Sequence, residues 1–429
     1  MSIKRPELLA PAGSQVMLET ALAFGADAVY AGQPRYSLRA RNNSFRDEVA
    51  LGIGIDYAHS RGKQFYVVSN IFPHNAKLKT YLADMAPVVA LKPDALIMAD
   101  PGLIDMVRET WPEMTVHLSV QANTVNYAAV RFWQKLGISR VILSRELSLD
   151  QVAEIRQECP DMELEVFVHG ALCIAYSGRC LLSGYFNHRD PNQGTCTNSC
   201  RWEFNTKPAK VGPDGDVFLL EEPEKRAGSY MPIEEDEHGT YILNSKDLRA
   251  IEHVQRLTEI GVDSLKIEGR TKSPYYVART AQAYAQAIAD AVAGRPLDPS
   301  LLRELDGLAN RGYTGGFFER HPDREYQNYL RGHSESDRSR YVGDVLTYHA
   351  DGMAEIEVKN KFSVGDRIEL IHPHGNQTLA IAAMRNKHGA SIEVAPGNGH
   401  FVRIPLPPGY AGAFMARFVA NDEDVTETD

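Results

Sequence analysis

The chain has 429 residues, of which 43% are hydrophobic and 24% are charged, a composition that supports a large buried core and excludes an intrinsically disordered protein. No run of eighteen apolar residues occurs and the first residues contain no apolar export signal, so we expect a cytoplasmic protein without membrane association. The formal net charge of -10 argues against a general nucleic-acid coat protein, because phosphate binding needs clustered cations.

Up to about residue 290, short apolar runs rich in β-branched residues alternate with longer amphipathic stretches. We predict eight strands: Glu7 to Ala12, Ala28 to Gly32, Gln64 to Ser69, Ala95 to Asp100, Val116 to Gln121, Val141 to Arg145, Leu164 to His169 and Ser264 to Glu268. The predicted fold class is therefore α/β, with a (β/α)8 TIM-like barrel favoured over an open doubly wound sheet, which the sequence does not exclude.

Polar side chains follow these strands at the end where a barrel assembles its active site. A catalytic role is predicted for His169, Arg145, Glu146 and Arg270. A substrate-binding role is predicted for Arg39, Arg41, Asn70, His74, Gln121 and Glu268, and Asp100 belongs to the same ring. Each residue taken alone has an ordinary alternative explanation, because polar loop residues are usually solvated.

Two groups of basic residues are candidate phosphate contacts. One contains Arg35, Arg39, Arg41 and Arg46, and the other contains Lys266, Arg270 and Lys272, followed by Tyr275 and Tyr276. Arginine binds phosphate through two hydrogen bonds, and a nearby aromatic ring can stack on an unpaired base. A solvated surface is the common alternative for any one of these residues.

A long insertion, residues 170–247, follows the seventh predicted strand and is far longer than an ordinary loop between a strand and a helix. It contains four of the five cysteines, Cys173, Cys180, Cys196 and Cys200. Four thiolates can hold either zinc or a four-iron cluster, and the wide interval between the first two cysteines favours the cluster. A structural zinc site or simple burial is about equally compatible with the spacing alone.

Two other parts of this region have less specific predictions. Cys159 ends a predicted helix outside the cysteine group, and we predict a structural role for it. The stretch from Gly212 to Gly239 is rich in Asp, Glu, Gly and Pro, so we predict an exposed loop there.

The hydrophobic pattern changes near residue 338, where short alternating runs such as Met353 to Val358 replace the strand and helix units. We therefore predict two domains. Residues 1–337 form the barrel with its cysteine-rich insertion, and residues 338–429 form a small antiparallel β-barrel domain with an acidic tail.

Several segments of the chain resemble the U32 peptidase-like family. They are PELLAPAGS, DAVYAGQPRYSLRARNNSF, PHNAKLKTY, DALIMADPGLI, HLSVQANTVN, RVILSREL, FVHGALCIAYSGRCLLSGYFNHRDPNQGTCTNSCRW, LNSKDLRAIEHV, SLKIEGRTKSPYYVARTAQAY and, near the C-terminus, KNKFSVGDRIELIHP. The match is nearest to the branch of the family that modifies tRNA.

The resemblance implies an enzyme that converts the wobble uridine of tRNA to 5-hydroxyuridine without oxygen, with prephenate as co-substrate. It also implies a [4Fe-4S] cluster on Cys173, Cys180, Cys196 and Cys200. The implied partners are the tRNA anticodon loop, prephenate and iron-sulfur cluster assembly proteins.

Two other functions remain open from the sequence. One is a metal-dependent, collagenase-like peptidase with zinc on the cysteines, although no G-x-S-x-G or H-E-x-x-H motif is present. The other is a tRNA-binding subunit without chemistry of its own.

Overall fold

The computed structural model describes residues 3–38, 43–172, 246–310, 312–319 and 339–418, and the backbone of four strands between residues 205 and 240. In its first part the strands are β1 Glu7–Pro11, β2 Ala28–Gly32, β3 Gln64–Ser69, β4 Ala95–Met98, β5 Val116–Leu118, β6 Arg140–Ile142, β7 Glu163–Ala171, β8 Asn205–Lys210, β9 Val217–Glu221, β10 Tyr230–Asp236, β11 Gly239–Thr240, β12 Asp247–Arg249, β13 Ser264–Ile267 and β14 Tyr313–Thr314.

A closed parallel barrel is formed by β1 to β7 and β13. Each of the first seven strands pairs in parallel with the next, and β13 closes the ring by pairing with both β7 and β1. All eight predicted barrel strands are present, and the predicted TIM-like fold is confirmed.

The helices described are α1 Gln15–Ala23, α2 Glu48–His59, α3 Asn75–Ala90, α4 Pro101–Thr110, α5 Tyr127–Lys135, α6 Leu149–Glu158, α7 Val254–Ile260, α8 Pro274–Val292 and α9 Pro299–Asp306. Most begin at a Ser, Asp or Asn whose side chain accepts a hydrogen bond from the first turn. Among the described residues, none of these helices has both the length and the apolar character needed to span a bilayer.

Helix capping explains where the fourth barrel strand ends. The sequence predicts a strand that reaches Asp100, but β4 ends at Met98. The Asp100 carboxylate accepts a hydrogen bond from the Leu103 backbone N–H at 2.9 Å and caps α4. Asp100 is therefore used to start a helix, which is a local role that its position after a strand does not reveal.

The insertion contains antiparallel strands where the sequence predicts a loop. β9 pairs with β8 on one side and with β10 on the other. The prediction of a loop was therefore wrong over Val217–Glu221 and Tyr230–Asp236, because the apolar run in β9 favours a strand despite its acidic surroundings. β12 returns the chain to the barrel and runs antiparallel to the end of β7, with Arg249 opposite His169.

The C-terminal part is an antiparallel β structure with a core of its own. Its strands are β15 Ser339–Tyr348, β16 Met353–Val358, β17 Phe362–Ser363, β18 Arg367–Ile371, β19 Gln377–Ala380, β20 Arg385–Asn386, β21 Val394–Ala395, β22 Phe401–Pro405 and β23 Phe414–Phe418. Seven of them form one curved sheet, a half-barrel, in the order β19, β18, β23, β15, β16, β22, β20. The boundary predicted between residues 337 and 338, and the acidic tail, lie outside the described residues.

Candidate active site at the barrel mouth

A cavity of about 100 Å³ opens at the carboxyl ends of the barrel strands, and we call it the mouth pocket. It is lined by Tyr30, Leu38, Val68, Asn70, Ile97, Ser119, Val120, Gln121, Ile142, Arg145, Phe167, Ala171, Lys266, Glu268 and Arg270. Five residues predicted for the site from their positions after strands, Asn70, Gln121, Arg145, Glu268 and Arg270, therefore meet in one cavity. Their individual roles remain predictions.

Three cationic side chains face this pocket: Arg145 follows β6, Lys266 lies on β13 and Arg270 follows β13. The Arg145 guanidinium carbon lies 3.7 Å from the Phe167 ring centroid, so the cation covers an aromatic face. Arg270 is only 8% exposed, and one of its guanidinium N–H groups donates to Ser37 Oγ at 2.9 Å. Lys266 is 3% exposed, with its Nζ 4.3 Å from the centroid of the Tyr30 ring. The pocket can therefore attract a small anion.

The acidic side of the pocket is formed by Glu268, which directly follows β13. The Tyr30 hydroxyl lies 3.0 Å from Glu268 Oε2 and 2.9 Å from the Ile267 carbonyl, to which it can donate. Gly170 permits the close approach of this segment, since its φ is +102° and a Cβ there would lie 2.3 Å from the Glu268 carbonyl oxygen. Glu268 and its neighbours thus contact residues of both β2 and β7 at the pocket.

Buried charges continue below the pocket into the barrel interior. Lys266 Nζ donates to Glu165 Oε1 at 2.8 Å, and Arg140 donates to Glu165 Oε2 at 3.3 Å. Glu165 is fully buried. Burial lowers the pKa of Lys266, whereas the adjacent Glu165 carboxylate acts in the opposite direction and favours the ammonium form.

His169, predicted as catalytic, lies outside the residues that line the mouth pocket. It is 1% exposed and is packed among the rings of Tyr276, Tyr284 and Tyr313, at centroid distances of 5.8, 5.5 and 5.4 Å. Its Nδ1 is 3.3 Å from the Tyr284 hydroxyl. Burial lowers the pKa of His169 to about 3, so the imidazole is neutral near pH 7.

The other predicted site residues occupy different positions. His74 precedes α3 without making a side-chain cap, and neither His74 nor Glu146 is among the residues that line the mouth pocket. Arg39 and Arg41 lie outside the described residues, as do the four cysteines Cys173, Cys180, Cys196 and Cys200. Within the described part of the chain, no group of three or more His, Cys, Asp or Glu side chains could hold a metal ion.

The cysteine-containing segment leaves the barrel next to the mouth pocket. Ala171, the last residue of β7, lines the pocket, and the segment returns to the barrel at β12. Cys159 lies apart from it at the end of α6, where it is 2% exposed, and the structural role predicted for it stays a prediction.

The ion pair between Lys266 and Glu165 was not predicted from the sequence. The sequence indicates Lys266 only as a candidate phosphate contact, whereas the structure places it at the pocket floor against Glu165. The available signal was a lysine inside the otherwise apolar strand SLKI. A lysine in such a strand needs a counter-ion, but its partner is 101 residues away in the chain and cannot be identified from local pattern.

Nearly the whole chain is similar to known proteins. Residues 13–328 match the model of "Peptidase family U32", and residues 337–417 match "Peptidase family U32 C-terminal domain". The chain is 58% identical to tRNA hydroxylation protein P of Escherichia coli (strain K12), over 94% of each chain. It is 56% identical to the protein of the same name from Haemophilus influenzae, also over 94% of each chain. The solved structure of a U32 peptidase, Mk0906, covers 62% of this chain and 93% of its own, with 16% identity and a TM-score of 0.40.

Proposed function

The chain belongs to peptidase family U32, and from its similarity to tRNA hydroxylation protein P we propose that it is an enzyme that hydroxylates tRNA. The specific activity that we propose is oxygen-independent, prephenate-dependent conversion of the wobble uridine to 5-hydroxyuridine in the cytoplasm. Two relatives that carry the name tRNA hydroxylation protein P are more than half identical to it along almost their whole length. The structural observation that supports the activity most is the group of three cations at the mouth pocket, beside the start of the cysteine segment.

The cations of the mouth pocket suit an anionic co-substrate. Prephenate carries two carboxylates, and guanidinium groups bind carboxylates through paired hydrogen bonds. Arg145 and Arg270 reach the pocket from strands β6 and β13, so they can hold two separate carboxylates. The apolar wall formed by Val68, Ile97 and Ile142 suits the ring of such a molecule.

The donor set for an iron-sulfur cluster is available only in the cysteine segment. Four thiolates satisfy the ligand requirement of a [4Fe-4S] cluster, and Cys173 is two residues beyond the pocket residue Ala171. When bound there, such a cluster supplies one-electron transfer. Arg145 and Arg270 would bind and orient the co-substrate, and the barrel wall would exclude water from it.

The proposed tRNA substrate would reach the same opening. Bases of an anticodon loop are unpaired, so a wobble uridine can enter a pocket without the cost of opening a duplex. The Phe167 and Tyr30 rings line the pocket and add apolar surface beside such a base.

Cysteine variants test this proposal. Protein purified and reconstituted without oxygen is assayed for iron, sulfide and tRNA hydroxylation, with the modified nucleosides measured by mass spectrometry. We expect Cys180→Ser to lose both the cluster absorbance and the hydroxylation. Cys159→Ala is the matched control and should keep both, since Cys159 is buried at the end of α6.

Two results would contradict the proposal. One is a Cys180→Ser protein with full cluster absorbance and full hydroxylation. The other is one zinc ion per chain without iron or sulfide in protein kept free of oxygen, which would instead favour the metal-dependent peptidase.

A further inference from the structure

Three buried charged side chains form a column inside the barrel, with Arg140 below, Glu165 in the middle and Lys266 at the pocket floor. Their exposed fractions are 5%, 0% and 3%. Glu165 joins the two cations, with distances of 3.3 Å to Arg140 Nη1 and 2.8 Å to Lys266 Nζ. At the lower end, Arg140 also pairs with Glu7 at 2.6 Å, on the opposite face of the barrel from the mouth pocket.

Filling the barrel interior with buried charges has a high desolvation cost. Removing ions from water costs several kcal/mol for each ion, and well-packed apolar side chains of similar volume often give equal or greater stability. Barrel interiors are usually filled by branched apolar residues. Stability alone therefore does not explain a lysine at the floor of the mouth pocket.

The Lys266 ammonium keeps hydrogen-bonding capacity for a ligand. It has three N–H donors, and among the described residues it makes one hydrogen bond, to Glu165. Its other near neighbours are the Tyr30 and Phe167 rings, with centroids 4.3 and 5.4 Å from Nζ. Both rings also line the pocket, so the remaining donors lie where a bound molecule would contact them.

We propose that Lys266 is a third ligand-binding cation of the mouth pocket, and that Glu165 is the positioning residue that keeps it protonated and oriented towards the ligand. The ligand class is a small carboxylate, and in this respect the inference rests on the proposed function. The role of Glu165 concerns the charge of the protein itself and can be tested without any tRNA modification.

Several charged groups near Lys266 determine whether its side chain is protonated. Burial and Arg270 lower the pKa of Lys266, whereas Glu165 and Glu268 raise it. Arg140 on β6 supports Glu165 from below. Lys266 helps to keep His117 on β5 neutral, and Tyr30 and Arg145 line the same pocket. Tyr66 on β3 and Glu7 on β1 lie beside Arg140 at the lower end of the column. Glu165 is the carboxylate that directly contacts the ammonium, so its removal should shift the balance most.

The charge of Lys266 can be measured in the whole protein by NMR. In protein labelled with ¹³C-lysine, the Lys266 signal is identified by its absence from Lys266→Arg and followed against pH. Replacement of an adjacent carboxylate should lower the titration midpoint of Lys266 in Glu165→Gln by about one to three pH units. Glu163→Gln is the matched control, because Glu163 also pairs with Arg140 but its side chain is 44% exposed and makes no salt bridge with Lys266. An unchanged midpoint in Glu165→Gln, or a wild-type midpoint below pH 7, would overturn the proposal.

Ligand binding provides a second measurement that does not depend on the folding of Glu165→Gln. Calorimetric titration should show that Lys266→Met binds prephenate at least about tenfold more weakly than the wild type, because a hydrogen bond to a charged group is lost. Lys266→Arg keeps the positive charge and should bind nearly as well as the wild type. Equal binding by Lys266→Met and wild type would overturn the ligand role. If the wild-type protein binds no prephenate, the proposed co-substrate and the ligand role both fail, whereas the NMR titration still decides the role of Glu165.

Discussion

Lys266 and His169 are buried on neighbouring barrel strands, yet their surroundings favour different charge states. Lys266 contacts a carboxylate, whereas His169 contacts the rings of tyrosine side chains. Burial lowers the pKa of both, but only Lys266 has an ion-pair partner at 2.8 Å to offset the effect. The neutral His169 is therefore poorly suited to act as a general base near pH 7.

The position of His169 could not be predicted by strand alternation. Phe167 lines the mouth pocket, and a regular strand would point His169 to the same side. A register shift occurs where β13 meets β7, so that Phe167 pairs with Lys266 and His169 pairs with the next residue, Ile267. This irregularity arises from pairing with a distant strand, and the local sequence does not encode it visibly.

The low pKa of His169 predicts acid sensitivity of the fold. The unfolded histidine titrates near pH 6.5 and the folded one near 3, so the unfolded state binds more protons between these values. Stability is therefore retained above pH 6.5 and lost as the pH falls below it, by up to about 1.4 kcal/mol per pH unit. We expect His169→Phe, which keeps an aromatic ring in this position, to reduce the slope of unfolding free energy against pH between 6.5 and 4.

Urea denaturation across this pH range measures the effect. The exposed His388 provides the control, and His388→Gln should keep the wild-type slope. A wild-type slope in His169→Phe would contradict the assigned pKa. The same variant tests the catalytic role predicted for His169, because a folded His169→Phe protein without hydroxylase activity would support that role.

Arg145 provides a separate test of co-substrate binding. Replacement by Met keeps much of the side-chain volume over Phe167 but removes the guanidinium. We expect the KM for prephenate to rise about tenfold or more, because charge-assisted hydrogen bonds to a carboxylate are lost. Steady-state kinetics of tRNA hydroxylation checks this, and Arg295→Met, at a distant ion pair with Asp290, should leave the KM unchanged.

At the scale of elements, α8 connects the barrel to the C-terminal half-barrel. Tyr275 on α8 stacks on Tyr341 of β15, with ring centroids 4.8 Å apart and planes 11° from parallel. Arg279, only 3% exposed on the same helix, pairs with Glu369 of β18 and with Glu304 of α9. These contacts fix the orientation of the two parts where α8 passes between them.

Loss of the Arg279 charge should weaken this interface. Arg279→Met removes the cation that pairs with the largely buried Glu369, and we expect the free energy of unfolding to fall by about 3 kcal/mol. The double variant Arg279→Met, Glu369→Leu should recover much of the loss, because the uncompensated charge is then removed. Denaturation monitored by circular dichroism gives both values, and an equally unstable double variant would contradict the ion-pair explanation.

Most barrel elements could be predicted because their signals are local. The apolar runs located all eight barrel strands. β12 could not be predicted, because it depends on antiparallel pairing with β7 far away in the chain. The C-terminal strands were located through their alternation, and the antiparallel β architecture predicted for this part is present as a half-barrel, whose strand order depends on pairing between distant segments.

At the scale of the whole molecule, the polar residues that line the mouth pocket could be predicted, but the ion pairs inside the barrel below it could not. Polar residues after parallel strands converge because all strands end at the same face, so Asn70, Gln121 and Arg270 could be placed together from sequence. The ion pairs Arg140–Glu7 and Lys266–Glu165 inside the barrel join residues 133 and 101 positions apart in the chain, and only the closed fold brings them together. The cysteine group was predicted from composition, and its geometry lies outside the described residues.

Nucleoside analysis of tRNA from cells tests the central claim most directly. Total tRNA from a strain without this gene, and from the same strain supplied with the wild-type gene, is digested and analysed by mass spectrometry. We predict that 5-hydroxyuridine and nucleosides derived from it fall sharply without the gene and return with it. Unchanged levels of these nucleosides in the strain without the gene, provided that no second gene supplies the activity, would contradict the account.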